Sequence, residues 1–240
     1  MISTIRYILY TICIFLSLII ITPICLIRPL SPKNNTVYFV VFRWLVEVIV
    51  GIKVHTTGQE IIKQTHPSVL IGNHQHNYDV ATISQLFINH VIVLGKFELG
   101  LIPYFGQIYV LCGNTLIKRG NRKKAMQSME NLENKIMTKS LSILVFPEGH
   151  RNQSEELLPF KKGAFHTAIR TQSPLIPFSV SQFIRFQDLN KFKRIHIYVK
   201  IHPPIPTKGL TKKDIPELIL KSRKAIKEGI KELNQNYSSK

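Results

Sequence analysis

The hydrophobic pattern divides the chain near residue 52. Before it lie two long apolar runs. Tyr7 to Ile27 holds about twenty residues without a charge, bounded by Arg6 on one side and by Arg28 and Lys33 on the other, a length that can span a bilayer. The run is long for a cleavable signal peptide, and no small-x-small cleavage site follows it. Pro29 and Pro32 end it. A second run, Thr36 to Val50, is too short and too charged for a comfortable span, and Arg43 and Glu47 stand i,i+4 so that they can pair on one face. Together the two runs predict a helical hairpin that inserts into, or lies against, one leaflet, with Tyr38 and Trp44 suited to the interface. A buried core helix is the alternative for the second run, and spanning versus monotopic insertion stays open for the first.

From Lys53 onward, short β-branched runs alternate with amphipathic stretches. Strands are expected at Lys53 to Thr57, Val69 to Ile71, Val91 to Leu94, Ser142 to Phe146, Leu175 to Val180 and Arg194 to Ile201. Between them Tyr78 to Ile88 reads as a helix, as does Arg122 to Met137, where Met126, Met129, Leu132 and Ile136 fall at helical spacing. Near the C-terminus Asp214 followed by Glu217 suggests a capping box, and Ile219, Ile226, Ile230 and Leu233 form a stripe. The fold class expected is α/β: a mostly parallel or mixed β-sheet covered by helices, with active-site loops at the carboxyl ends of strands and an N-terminal membrane-associated helical hairpin. The organisation is two-part, with residues 1–52 as membrane anchor and 53–240 as catalytic domain.

Charge changes this picture by adding a partner. The 240 residues carry a formal charge of +18, which implies a polyanionic partner, nucleic acid or an anionic membrane surface. A composition generally rich in Lys, Ile and Asn accounts for part of the excess. Cys13 and Cys25 lie inside the first apolar run and Cys112 stands alone, so the spacing offers neither a disulfide framework nor a zinc site.

The candidate chemistry sits at strand ends. In VLIGNHQHNYD, Val69 to Ile71 form a strand, Gly72 and Asn73 break it, and His74 and Asp79 follow. An imidazole can take a proton near neutral pH, and a carboxylate can fix its tautomer and stabilise its cation. On one straight helix residues five apart would point about 140 degrees apart, so the chain must bend for them to meet. Nine histidines make chance pairs common, and the pair gains weight only from the rest of the chain. In SILVFPEGHRN a strand stops at Pro147 and delivers Glu148, Gly149 and Arg151; the guanidinium offers a planar fork suited to phosphate, and Glu148 could orient it or a substrate hydroxyl. A surface Glu-Arg pair on a turn is the bland alternative. GKFEL and GNTLIKR each place a cation, Lys96 or Arg119, near a glycine at the end of an apolar run. Singly, each reads as a solvated charge.

Taken in order, these stretches resemble the glycerolipid acyltransferase family, specifically its bacterial 1-acyl-sn-glycerol-3-phosphate branch. NHQHNYD resembles the family's first block, Asn-His-x4-Asp; GNTLIKR its second, FPEGHRN its third and PLIPFSVS its fourth, with similarity from about Lys53 to Pro206. One departure concerns the third block, usually FPEGTRS, where His150 and Asn152 replace Thr and Ser. The resemblance implies acyl transfer from acyl-carrier protein or acyl-CoA to the sn-2 hydroxyl of lysophosphatidic acid, giving phosphatidic acid. In it His74 is the general base oriented by Asp79; Lys96, Arg119 and Arg151 bind the acceptor phosphate; and Glu148 and Gly149 orient substrate. Backbone N–H groups near Ile176 and Pro177 are candidates for the oxyanion, Pro177 itself having none. No acyl-enzyme, cofactor or metal is expected, the acyl donor being a co-substrate. The resemblance places the chain on the bacterial inner membrane, catalytic domain on the cytoplasmic face, with the phospholipid bilayer as partner and no nucleic acid. Acylation of glycerol-3-phosphate or another lysophospholipid is the near alternative. A metallohydrolase using His74, His76 and Asp79 fails in detail, since Tyr78 stands where its HxHxDH motif needs aspartate. A membrane-tethered nucleic-acid binder using Lys118 to Lys124 and Lys191 to Arg194 lacks a reading module.

Overall fold

In the computed structural model residues 1–87, 90–118 and 122–238 are described. Their strands are β1 (Ile52–Thr57), β2 (Val69–Gly72), β3 (Val91–Lys96), β4 (Thr115–Ile117), β5 (Ser142–Val145), β6 (Leu175–Val180) and β7 (Ile195–Ile201). They form one sheet in the order β1-β7-β6-β2-β5-β3-β4. All neighbours are parallel except β6 and β7. The helices are α1 (Ile2–Ile27), α2 (Lys33–Leu45), α3 (Gln59–Gln64), α4 (Asp79–Ile83), α5 (Phe105–Leu111), α6 (Arg122–Lys139), α7 (Gly163–Arg170), α8 (Phe183–Phe186) and α9 (Ile215–Ser238).

β2 is wholly buried because it lies between β5 and β6 and is covered on both faces. Its side chains alternate: Leu70 joins Leu144 and Ile176 on one face, and Val69 and Ile71 join Ile143 and Leu175 on the other. The first face is roofed by α1 and α2, through Tyr10, Cys13, Leu18, Phe39 and Phe42. The second packs on Leu132 and Ile136 of α6, Phe165 of α7, and Leu218, Ile226 and Ile230 of α9. The N-terminal helices therefore share one apolar core with the sheet.

α1 divides lengthwise. Arg6, Tyr10, Cys13, Ser17, Ile21 and Cys25 are buried at spacings of three and four, whereas Ile8, Ile12, Phe15, Ile19, Leu26 and Ile27 face outward. It is the one helix among the described residues long and apolar enough to cross a membrane. Its turn into α2 is closed by Asn34, which accepts from Arg28 Nε at 2.8 Å and donates to the carbonyls of Arg28 and Leu111.

Several expectations shift in register. Arg43 donates to Gln85 at 2.9 Å and Glu47 faces Lys53, because the helix widens to a π turn at Val46–Val50 and takes Glu47 out of step with Arg43. The helix after the first motif is α4 and then a 3-10 turn, Ser84–Leu86, since the Ser84 hydroxyl donates back to the Ala81 carbonyl; Ile88 lies outside the described residues. The capping box forms one turn early: Thr211 accepts from Lys213 N and Asp214 accepts from Thr211 N, while Glu217 pairs with Lys221 at 2.7 Å. β4 was not foreseen, being three half-buried residues at the sheet edge. Cys112, solitary in sequence, meets Cys25 with the sulfurs 3.9 Å apart, and all three cysteines are free.

Candidate active site

The carboxyl ends of β2 and β5, adjacent and parallel, bring the first and third motifs together. Gly72 does not bend the chain as the sequence suggested; it ends β2 opposite Phe178, whose ring would lie 2.3 Å from any Cβ there. Glycine is required because an aromatic ring fills the space beneath the loop. Asn73 then clasps β6: its amide donates to the Val180 carbonyl at 3.0 Å and its carbonyl oxygen accepts from Val180 N at 2.8 Å. Gln75 adds bonds to the carbonyls of Val180 and Ser181. Between these two anchors His74 has little freedom.

The bend that the spacing demanded is made around Asp79. Its Oδ2 lies 2.5 Å from His74 Nδ1 and also accepts the backbone N–H groups of Gln75 at 2.6 Å and His76 at 3.0 Å. The carboxylate is 2% exposed, and its Oδ1 is buried without a hydrogen-bond partner among the described residues. With Nδ1–H directed at Asp79, Nε2 carries the free lone pair. The His74 ring stacks on Phe146 at 4.2 Å, and its side chain keeps 21% exposure, enough to meet a substrate.

Glu148 is engaged within the chain. Its Oε1 accepts His74 N at 3.0 Å, and its Oε2 accepts Leu158 N at 2.9 Å and Asn152 Nδ2 at 3.2 Å. This buried carboxylate is occupied inside the chain, fixing the backbone of the histidine. Asn152, the departure from the family pattern, extends the brace: its N–H donates to the His74 carbonyl at 2.8 Å, and its side chain reaches Glu156 O and Ser154. Gly149 has φ of +77°, the left-handed region, and a Cβ there would meet Lys161 Nζ at 2.6 Å.

Arg151 is exposed beside these groups, and its charge, with burial, contributes to holding His76 below the ordinary histidine range, against the pull of Asp79; burial is the largest cause. The His76 ring packs against Tyr78 and Phe183. Lys96 ends β3, two strands from β2, or about 10 Å at the backbone. Beside it Lys118 follows β4, its ammonium 5.4 Å above the Phe97 ring. Arg119 lies outside the described residues. Ile176 and Pro177 are mid-strand and buried, paired with Leu70 and Ile71. They are no source of oxyanion donors, because the ladder uses the backbone there.

A further residue comes from α1. The buried Tyr10 hydroxyl donates to Asn77 O at 3.1 Å and accepts from Ala81 N at 3.2 Å, so the apolar helix holds the His74–Asp79 loop directly. Tyr7 accepts from Asn77 Nδ2 at 3.0 Å.

The Acyltransferase family model matches residues 53–181. The 1-acyl-sn-glycerol-3-phosphate acyltransferase of Haemophilus influenzae is 35% identical over 99% of this chain and 99% of its own. The protein of that name from Escherichia coli is also 35% identical, over 90% of this chain and 88% of its own. Among solved structures, the 1-acyl-sn-glycerophosphate (LPA) acyltransferase PlsC from Thermotoga maritima superposes with a TM-score of 0.70 over 96% of this chain and 97% of that one, at 22% identity, a likeness of fold. With the paired His74 and Asp79 at the end of a central parallel strand, the chain belongs to the acyltransferase family that includes the bacterial 1-acyl-sn-glycerol-3-phosphate enzymes.

Proposed function

We propose that the chain transfers an acyl group from a thioester donor, acyl-CoA or acyl-carrier protein, to the sn-2 hydroxyl of lysophosphatidic acid, forming phosphatidic acid. The observation that carries this reading is the 2.5 Å contact between His74 Nδ1 and Asp79. It leaves Nε2 to remove the hydroxyl proton as the oxygen attacks the thioester carbonyl; the tetrahedral intermediate collapses with loss of the thiol, which takes the proton back. Asp79 stabilises the imidazolium between these steps. Direct transfer needs no enzyme nucleophile, cofactor or metal. Lys96, Arg119 and Arg151 receive the acceptor phosphate, and Gly149 keeps backbone close to the substrate. Fixing hydroxyl and thioester together supplies much of the acceleration.

The outward apolar stripe of α1, joined by Val40 and Trp44 of α2, enters the membrane from one side while the inner stripe stays on the sheet. In this reading the cationic surface faces anionic lipid, and the catalytic unit works on the cytoplasmic face of the inner membrane. Nucleic acid has no part in this reading. The test is a panel of acceptors and donors with purified protein. Lysophosphatidate should exceed glycerol-3-phosphate and larger-headgroup lysolipids as acceptor, and preference for glycerol-3-phosphate would replace the named substrate.

A further inference from the structure

Beyond the catalytic loop, α8, the start of β7 and the last turns of α9 line a half-open cavity of about 440 Å³. One wall is aromatic. Phe186 stacks on Tyr237 with ring centres 5.2 Å apart and planes 10° apart, and Tyr198 meets Tyr237 edge-on at 5.2 Å. The other wall is cationic, with Lys191, Lys193 and Arg194, none of them in an ion pair among the described residues. Its one carboxylate, Asp188, accepts Asn190 N at 2.9 Å.

The cationic segment is held from below. Buried Arg6 of α1 donates from Nη2 to the carbonyls of Lys191 at 2.8 Å and Lys193 at 2.6 Å, which fixes the backbone and leaves the lysine side chains exposed. The cavity is also tied to the catalytic loop. Gln75, next to His74, donates to Ser181 O at 3.1 Å, and the Ser181 hydroxyl meets the Tyr237 hydroxyl at 2.8 Å.

We propose that this cavity binds the nucleotide end of the acyl donor, a purine nucleoside carrying several phosphates, so that the donor is a coenzyme A thioester. The inference rests on the acyl-transfer reading and specifies its donor. An aromatic wall stacks a base through its π-face. Three cations meet phosphates by charge-assisted hydrogen bonds. A carrier protein's acidic surface would use the cations but has no base to lay against the aromatic rings, and a bilayer's headgroups likewise offer phosphate without a purine.

The test is calorimetric titration of the full-length protein in detergent with the adenosine bisphosphate half of coenzyme A. Lys191→Ala with Lys193→Ala is the variant, because alanine keeps the carbonyls that Arg6 holds; Lys208→Ala, on exposed surface outside the cavity, is the control. Wild type and control should bind saturably, and the double variant about tenfold more weakly, the scale of one lost charge-assisted bond. KM for acyl-CoA should rise similarly, with kcat and KM for lysophosphatidate unchanged. Absent binding in wild type, or undiminished binding in the double variant, overturns the proposal. So does a KM rise confined to acyl-carrier protein, or a loss confined to binding of anionic vesicles. Nucleotide binding is read without turnover, so failure to acylate lysophosphatidate would remove the proposed function and leave this site to be decided by titration.

Discussion

At the scale of single residues, two buried carboxylates do complementary work. Asp79 gathers the imidazole and two backbone N–H groups on one oxygen, and Glu148 gathers the histidine's own N–H and the strand-end loop of the third motif. Between them stands Asn152. Replacing it by alanine removes one of the donors to Glu148 and the bonds to residues 154–156, at a cost of about 1–1.5 kcal/mol, or roughly tenfold in kcat if it is expressed at the transition state. Asn152→Ser, which restores the family's usual residue, should retain most turnover in steady-state assays. The His74–Asp79 pair was legible in the sequence as two residues whose spacing demanded a bend; that the bend forms around Asp79 and not at Gly72 was not, since only the fold shows Asp79 gathering the N–H groups of Gln75 and His76. The bracing role of Glu148 was not legible, since only the fold shows that its acceptors are already engaged within the chain.

Among the elements, α1 does two jobs on two faces. Its inner stripe packs on the sheet and lends Tyr10 to the His74–Asp79 loop; its outer stripe is apolar and exposed. Tyr10→Phe strands the Asn77 carbonyl, costing about 1–2 kcal/mol, so the melting temperature should fall by roughly 2–8 °C for a chain of this size, with lower kcat. At the junction of β7 and α9, His202 Nε2 lies 2.7 Å from the Ser179 hydroxyl, and burial, aided by Lys200 and opposed by Glu232 and Glu228, pushes its pKa down to about 4. Neutral in the fold and titrating near 6.5 when unfolded, it contributes stability that is complete above pH 6.5 and is lost as pH falls toward 4. Urea midpoints should drop across that window, and His202→Gln should flatten the slope. The long strands were legible from β-branched runs. The three-residue β4 and the short α8 were not, because so few residues set no periodicity.

At the scale of the whole molecule, the outward apolar stripe and the His74–Asp79 pair belong to one folded unit, since the roof over the sheet is the helix with that stripe. Ile12→Asp with Ile19→Asp alters exposed positions only. Each charge costs about 2.5–3.5 kcal/mol in hydrocarbon, so flotation with anionic vesicles should show binding weakened by at least about a hundredfold, with the melting temperature unchanged. Unaltered flotation would remove that face from the membrane. The length and apolar character of α1 were legible in the first apolar run; its inner face was not, because its apolar and small polar residues look alike until the sheet is in place beneath them. The central claim is that Nε2 of His74 is the base. The most direct measurement is the single-turnover rate of His74→Ala with saturating lysophosphatidate and acyl donor, alongside binding of each. A loss of about 100 to 10,000-fold in rate, with both substrates still bound, is the predicted result; a rate equal to that of the unaltered protein would contradict the account.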